Sequence, residues 1–219
     1  MSIAPRIAFD ESPRIDRVTL AIGPVDGVSG LLIRRGATAL VAGLADRPIV
    51  NASGLLVFLN LPDRPQYEVE VDARRAGFPF IERVIFTLPP PASKDPCARR
   101  RDVVLSPGPD YPFPPGTTLI RGVVARGGAP VAGASIAATP AGGSAAFHAR
   151  TVANGAFALP LRLPPLGSHE AESDVAVTIL VAEGADSRSL VRPVENGRSH
   201  SFLEPIDLGG GNDPGFFAT

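Results

Sequence analysis

The chain has 219 residues, a formal net charge of −1, 44% apolar residues, 23 glycines and 24 prolines. So much apolar side chain with so little net charge excludes a disordered polymer, and the glycines and prolines break helices repeatedly. The charge balance provides no long-range field to gather nucleic acid or to hold an anionic membrane, and no apolar run approaches the roughly 18 residues of a membrane-crossing helix.

Residues 1–16 read as an N-terminal arm. Pro5 and Arg6 stand where an apolar signal core would begin, and acidic residues follow. No signal peptide is expected, which points to cytoplasmic synthesis. Asp10, Glu11 and Asp16, with Pro13 between them, match no calcium-loop spacing.

Residues 17–90 read as a first β-sandwich module. Apolar runs at 18–22, 30–33, 38–41, 54–59, 67–71 and 84–87 alternate with turn residues, the spacing expected of short strands in a sandwich. The segment 67–72 alternates strictly, so Tyr67, Val69 and Val71 should face a core while Glu68, Glu70 and Asp72 face water. The motif Gly27-Val28-Ser29-Gly30 lacks the spacing of a nucleophile elbow and reads as a turn.

Residues 91–116 read as a proline-rich connector, a semi-rigid spacer that sets an angle between modules. Only residues 103–105 look like strand. Tyr111 and Phe113, aromatics set among prolines, should pack into the junction, or else serve as a ligand for a foreign domain. Arg99, Arg100 and Arg101 read as a solvated run. The single cysteine, Cys97, excludes an intrachain disulfide and has no His and Asp or Asn nearby that would suggest a catalytic thiol.

Residues 117–208 read as a second sandwich, with strands expected at 119–124, 134–137, 156–159, 175–181 and 189–191. The run 175–181 is apolar on both faces, so both are expected to be covered. Gly127-Gly128 marks a turn, and Asn154-Gly155 signals a two-residue hairpin that would aim Phe157 into the core. Residues 209–219 read as a flexible tail, with Phe216 and Phe217 on a glycine-rich leash. Folding back on its own module is one outcome for this tail; docking on a neighbouring subunit is the other.

The segment from Gly122 to Ala134, followed by Thr151-Val152-Ala153-Asn154-Gly155-Ala156-Phe157, resembles the carboxypeptidase regulatory-like domain, a transthyretin-like β-sandwich. Residues 17–88 look like a more distant copy, through Asn51-Ala52-Ser53-Gly54, the Leu61-Pro62 turn and Tyr67-Glu68-Val69. The second copy departs from the family pattern by an insertion at 161–173. The resemblance implies an all-β fold of two tandem β-sandwich (Ig-like or transthyretin-like) modules, and modules that assist or present other domains without an active site. Two such modules without an attached enzyme look like accessory parts of phage tails or contractile injection particles.

The residues offer little chemistry of their own. His148, His169 and His200 form no local metal motif, although His169 sits beside Glu170 and Glu172. The stretch 209–213 is glycine-rich but lacks the Lys-Ser/Thr of a phosphate loop. Neither a catalytic constellation nor a cofactor is expected. The expected role is a non-catalytic structural or adaptor protein of a multi-protein assembly, carried into a released particle. Its partners would be other protein subunits or further copies of itself. Nucleic acid and membrane insertion are not expected. The candidate partner-binding residues are Phe216, Phe217, Tyr111 and Phe113. The alternative role is a carbohydrate-binding or adhesion module, which the absence of Trp and the presence of only Tyr67 and Tyr111 disfavour.

Overall fold

The computed structural model describes residues 16–88, 96–143, 146–163, 174–211 and 213–219. The N-terminal arm up to residue 15, Pro89 to Pro91, His169 with Glu170 and Glu172, and most of the 161–173 insertion lie outside the described residues. The described chain is all-β, as expected, and forms two sandwich modules.

In the first module, β1 (Val18–Asp26) is the long central strand. It pairs antiparallel with β4 (Leu56–Leu59) and parallel with β7 (Arg100–Leu105), and β3 (Ile49–Val50) completes that sheet in the order β3-β4-β1-β7. The facing sheet is β2 (Thr38–Val41), β5 (Gln66–Asp72) and β6 (Ile81–Thr87). The alternation in 67–72 holds: Tyr67, Val69 and Val71 are buried against Leu20, Ile22, Leu56 and Phe58 from the opposite sheet.

Two expectations fail here. Residues 100–105 are not spacer. They are the edge strand of the first sandwich, with Val103 and Leu105 buried in its core. Residues 30–33 are not a strand either, making only the bridge Val25 to Leu32 and leaving Leu31 69% exposed. They run antiparallel beside the end of β1, where the Asp26 N–H donates to the Leu31 carbonyl and the Ile33 N–H to the Pro24 carbonyl, but a single bridge is too short a pairing to make a strand.

The second module repeats the plan. Strand β8 (Thr118–Arg126) is central, pairing antiparallel with β12 (Ala156–Leu161) and parallel with β15 (Ser199–Phe202). Two short strands also pair with β8: β9 (Ala129–Pro130), across the Gly127-Gly128 turn, and β16 (Ile206–Asp207). The facing sheet runs β11-β10-β13-β14, from β10 (Ser135–Pro140), β11 (Phe147–Arg150), β13 (Val175–Glu183) and β14 (Asp186–Val194). Phe157 is 1% exposed and faces the core as expected. It packs on Gly122, where a Cβ would come within 2.9 Å of the Phe157 ring.

Asn154-Gly155 is a turn but not a hairpin. Gly155 has φ 76° and donates to the Val152 carbonyl, yet the turn links β11 of one sheet to β12 of the other. Asn154 stays out of the left-handed region that a type I′ hairpin requires at both central positions, and caps the Ala156 N–H instead. Strand β13 is covered on one face only: Val177, Ile179 and Val181 are buried, while Thr178 is exposed and Leu180 is 43% exposed.

Candidate partner-binding surfaces

The residues between β7 and β8 are pinned to both modules. Tyr111 packs on Phe78 at the edge of the first core, with ring centroids 5.6 Å apart, and its hydroxyl donates to Asp26 Oδ2 at 2.6 Å. Burial and this carboxylate together push the Tyr111 hydroxyl up to about 12. Burial works to raise the Asp26 carboxyl as well, but hydrogen bonds from Tyr111, Val28 and Ser29 outweigh it and hold the group below its ordinary value. Phe113 meets Tyr111 edge-on at 4.9 Å and lies under the Arg121 guanidinium at 5.5 Å, while Arg121 donates to the Pro109 carbonyl at 2.6 Å. Tyr111 and Phe113 are therefore engaged within the chain, in the junction.

Two arginines of the second module reach directly onto the first. Arg150, at the end of β11, stacks over Phe80 at 4.4 Å and pairs with Glu82 on β6. Arg162 donates to the Val28 carbonyl at 2.6 Å. Between the modules lies an open crevice of about 690 Å³, bordered by Val28, Leu105, Pro107, Phe147, the exposed His148 and Arg162.

The C-terminal tail overturns one expectation. Residues Phe216–Ala218 form β17, antiparallel to β15, so the chain's last strand lies on its own module instead of trailing on a leash. Phe216 stacks on His200 at 5.4 Å with an interplanar angle of 12°, and contacts Phe202 at 4.9 Å. It is spent on the second core. Phe217 points outward and is 40% exposed. Backbone pairing with Ser199 to Phe202 holds the tail in place, and nothing in a Gly-Gly-Gly sequence announces that pairing.

His200 itself is 2% exposed. Its Nε2 accepts from the Glu195 N–H at 3.0 Å, whereas Nδ1 is buried without a hydrogen-bond partner. Burial lowers its pKa, against the nearby carbonyls of Arg198 and Leu119 and the carboxylates of Glu195 and Asp174. Among the described residues no three His, Cys, Asp or Glu side chains gather as a metal site. Arg99 donates to the Thr19 carbonyl and Arg100 pairs with Asp102, so two members of the basic run have structural partners. Gly27 to Gly30 form a turn in which Asp26 accepts from Val28 N and Ser29 Oγ.

No family model matches the sequence, and no curated protein matches it. Among solved structures, the Bacillus anthracis TIE protein is 13% identical over 87% of this chain at a TM-score of 0.30; the chain spans only 33% of that protein. A candidate cell adhesion protein of Bacteroides ovatus is 11% identical over 86% of this chain and 92% of its own, at a TM-score of 0.26. Another from Bacteroides fragilis is 11% identical over 92% and 96%, also at 0.26. At this level of superposition, fold and function rest on the geometry above.

Proposed function

We propose that the chain is a non-catalytic structural adaptor, joining other protein subunits in an assembly of the phage-tail or contractile-injection kind that its two-module architecture resembles. The observation that carries this reading is the clamp between modules. Arg150 spans from β11 to Glu82 and Phe80, Arg162 reaches the Val28 carbonyl, and Tyr111 is anchored on Asp26 and Phe78. Two sandwiches held at one angle present two surfaces in fixed relation, which is what a joint between subunits requires. The sugar-binding alternative loses both tyrosines: Tyr67 is 2% exposed and Tyr111 is packed in the junction, leaving no exposed aromatic platform from either.

The test pairs Arg150→Ala with Glu82→Ala in one variant. Small-angle scattering of the isolated protein should report a larger radius of gyration, and sedimentation of native assemblies should report reduced incorporation. Full incorporation of the loosened variant would sink the rigid-adaptor reading. Absence of the unmodified chain from every sedimentable assembly would sink the adaptor role altogether, and specific retention on a glycan array would restore the adhesion alternative.

A further inference from the structure

One end of the first module gathers arginines from three separate connections. Arg34 and Arg35 precede Gly36 in the link from β1 to β2, Arg47 lies in the link from β2 to β3, and Arg74 and Arg75 form the single 3-10 turn between β5 and β6. All five are exposed. The first and third links are locked together at Gly36: with φ 81°, it sits so close to the 74–76 turn that a Cβ would lie 3.0 Å from Ala76 N. A cleft of about 680 Å³ opens there, lined by Gly36, Ala37, Thr38, Arg47, Asp72, Arg74 and Arg75.

The charges in that cleft do not balance. Among the described residues Asp72 is the only carboxylate lining it, and Arg74 takes both oxygens at 2.6 to 3.1 Å. That pairing holds Asp72 below its ordinary pKa, so it stays ionised and committed. Arg75 also acts on Asp72 through its charge, but among the described residues neither it nor Arg34, Arg35 or Arg47 makes a side-chain hydrogen bond or a salt bridge. Like charges this close repel one another, an arrangement that a bound oxyanion relieves.

We propose that this cleft is a docking site for the carboxylates of an acidic segment on a protein partner, with Arg47 and Arg75 as its principal donors. This rests on the adaptor reading and names the chemistry of one of its partners. The whole chain carries a charge of −1, so it lacks the broad positive field that collects nucleic acid. The fixed Asp72 carboxylate in the cleft wall opposes a dianionic phosphate or a dense polyanion more than it opposes single carboxylates spaced along a peptide. A guanidinium fork fits such a carboxylate with two parallel hydrogen bonds.

The experiment uses the full chain and a fluorescent octapeptide in which Asp or Glu alternates with serine, read by anisotropy at low and physiological salt. Binding should weaken with salt, and Arg47→Glu with Arg75→Glu should weaken it by about tenfold or more while leaving the melting temperature unchanged. Arg101→Glu, an exposed arginine on β7 of the opposite sheet, should leave binding within about twofold. Wild-type affinity in the double variant would overturn the proposal, as would an equal loss in Arg101→Glu. Competition by inorganic phosphate or single-stranded DNA as strong as by unlabelled peptide would also overturn it, by making the cleft a general anion site. If the peptide fails to bind while the chain still sediments with its assembly, this inference falls and the adaptor reading stands. If the peptide binds but the chain joins no assembly, the reverse holds.

Discussion

The two modules share the arrangement of six strands, and β3 and β11 show where they part. Three strands of one sheet keep the order β4-β1-β7 in the first module and β12-β8-β15 in the second, and the facing sheets share β2-β5-β6 and β10-β13-β14. β3 and β11 go to opposite sides. In the first module β3 pairs with β4, so the chain changes sheets before it. In the second, β11 pairs with β10, and the change comes after it, at Asn154-Gly155. An asparagine-led turn precedes β4 and β12 alike, through Asn51 Oδ1 accepting from Ser53 and Leu55 in one and Asn154 Oδ1 from Ala156 in the other. One turn chemistry thus closes a hairpin in one module and a crossover in the other. What differs is the strand beforehand: Ile49 and Val50 are 57% and 52% exposed, whereas Ala149 is 3% exposed and belongs to the core.

The switch has consequences beyond its own sheet. With β3 removed to the other side, the edge of β2 is left open beside the link that carries Arg47, and the arginine cleft forms there. In the second module β11 covers that edge, and its Arg150 is turned to the clamp on Glu82.

The largest effect that separates the modules is a cavity in one core at a time. Phe157→Ala and Phe58→Ala each truncate a ring that is 1% exposed, and each should cost about 3–5 kcal/mol. Differential scanning calorimetry should show the loss in the second module's transition for Phe157 and in the first module's for Phe58. An unchanged melting profile for Phe157→Ala would mean that the register of β12 is off by one residue.

Leu105→Ala asks whether β7 belongs to the first module's core as β15 belongs to the second's. Leu105 is 1% exposed, so the substitution should cost about 2–5 kcal/mol in the first transition. A null result would return residues 100–105 to a spacer.

Phe216→Ala addresses a strand, β17, without a counterpart in the first module. Its ring is only partly buried, on His200 and Phe202, so a loss of about 1–2 kcal/mol is expected, confined to the second transition. Phe217→Ala should leave melting unchanged, because that ring points outward. If both variants melt like the unmodified protein, β17 contributes nothing to the module, and the tail is better understood as a tether.

The smallest effect is with pH, and it too should fall on one module, since His148, His169 and His200 all lie in the second half of the chain. Burial lowers the folded pKa of His200, so the unfolded chain binds a proton that the folded one refuses. The second module should be most stable above the ordinary histidine value of about 6.5, lose stability as pH falls below it, and level off once the folded pKa is passed. His200→Gln should flatten that dependence. A first transition that moves equally between pH 7 and 5.5 would assign the effect elsewhere.

Period-two alternation and turn positions are local, and the sequence carries most of them, although not that Asn154-Gly155 leads to a crossover. They predict the faces of Tyr67, Val69 and Val71, the inward Phe157, the Gly127-Gly128 turn and most of the strand positions. They are legible because a pleated strand aims successive side chains to opposite sides whatever its neighbour is. Partnership is another matter. That Val103 lies beside Pro24, that Phe216 lies beside Phe202, and that β3 and β11 choose opposite sheets are decided by backbone hydrogen bonds. The backbone groups are alike at every residue except proline, so alternation within one strand gives its faces but does not by itself name its neighbour. The burial of His200, the open face of β13 and the sharing of one cleft by Arg47 and Arg75 all follow from those pairings, and therefore only the tertiary structure decides them.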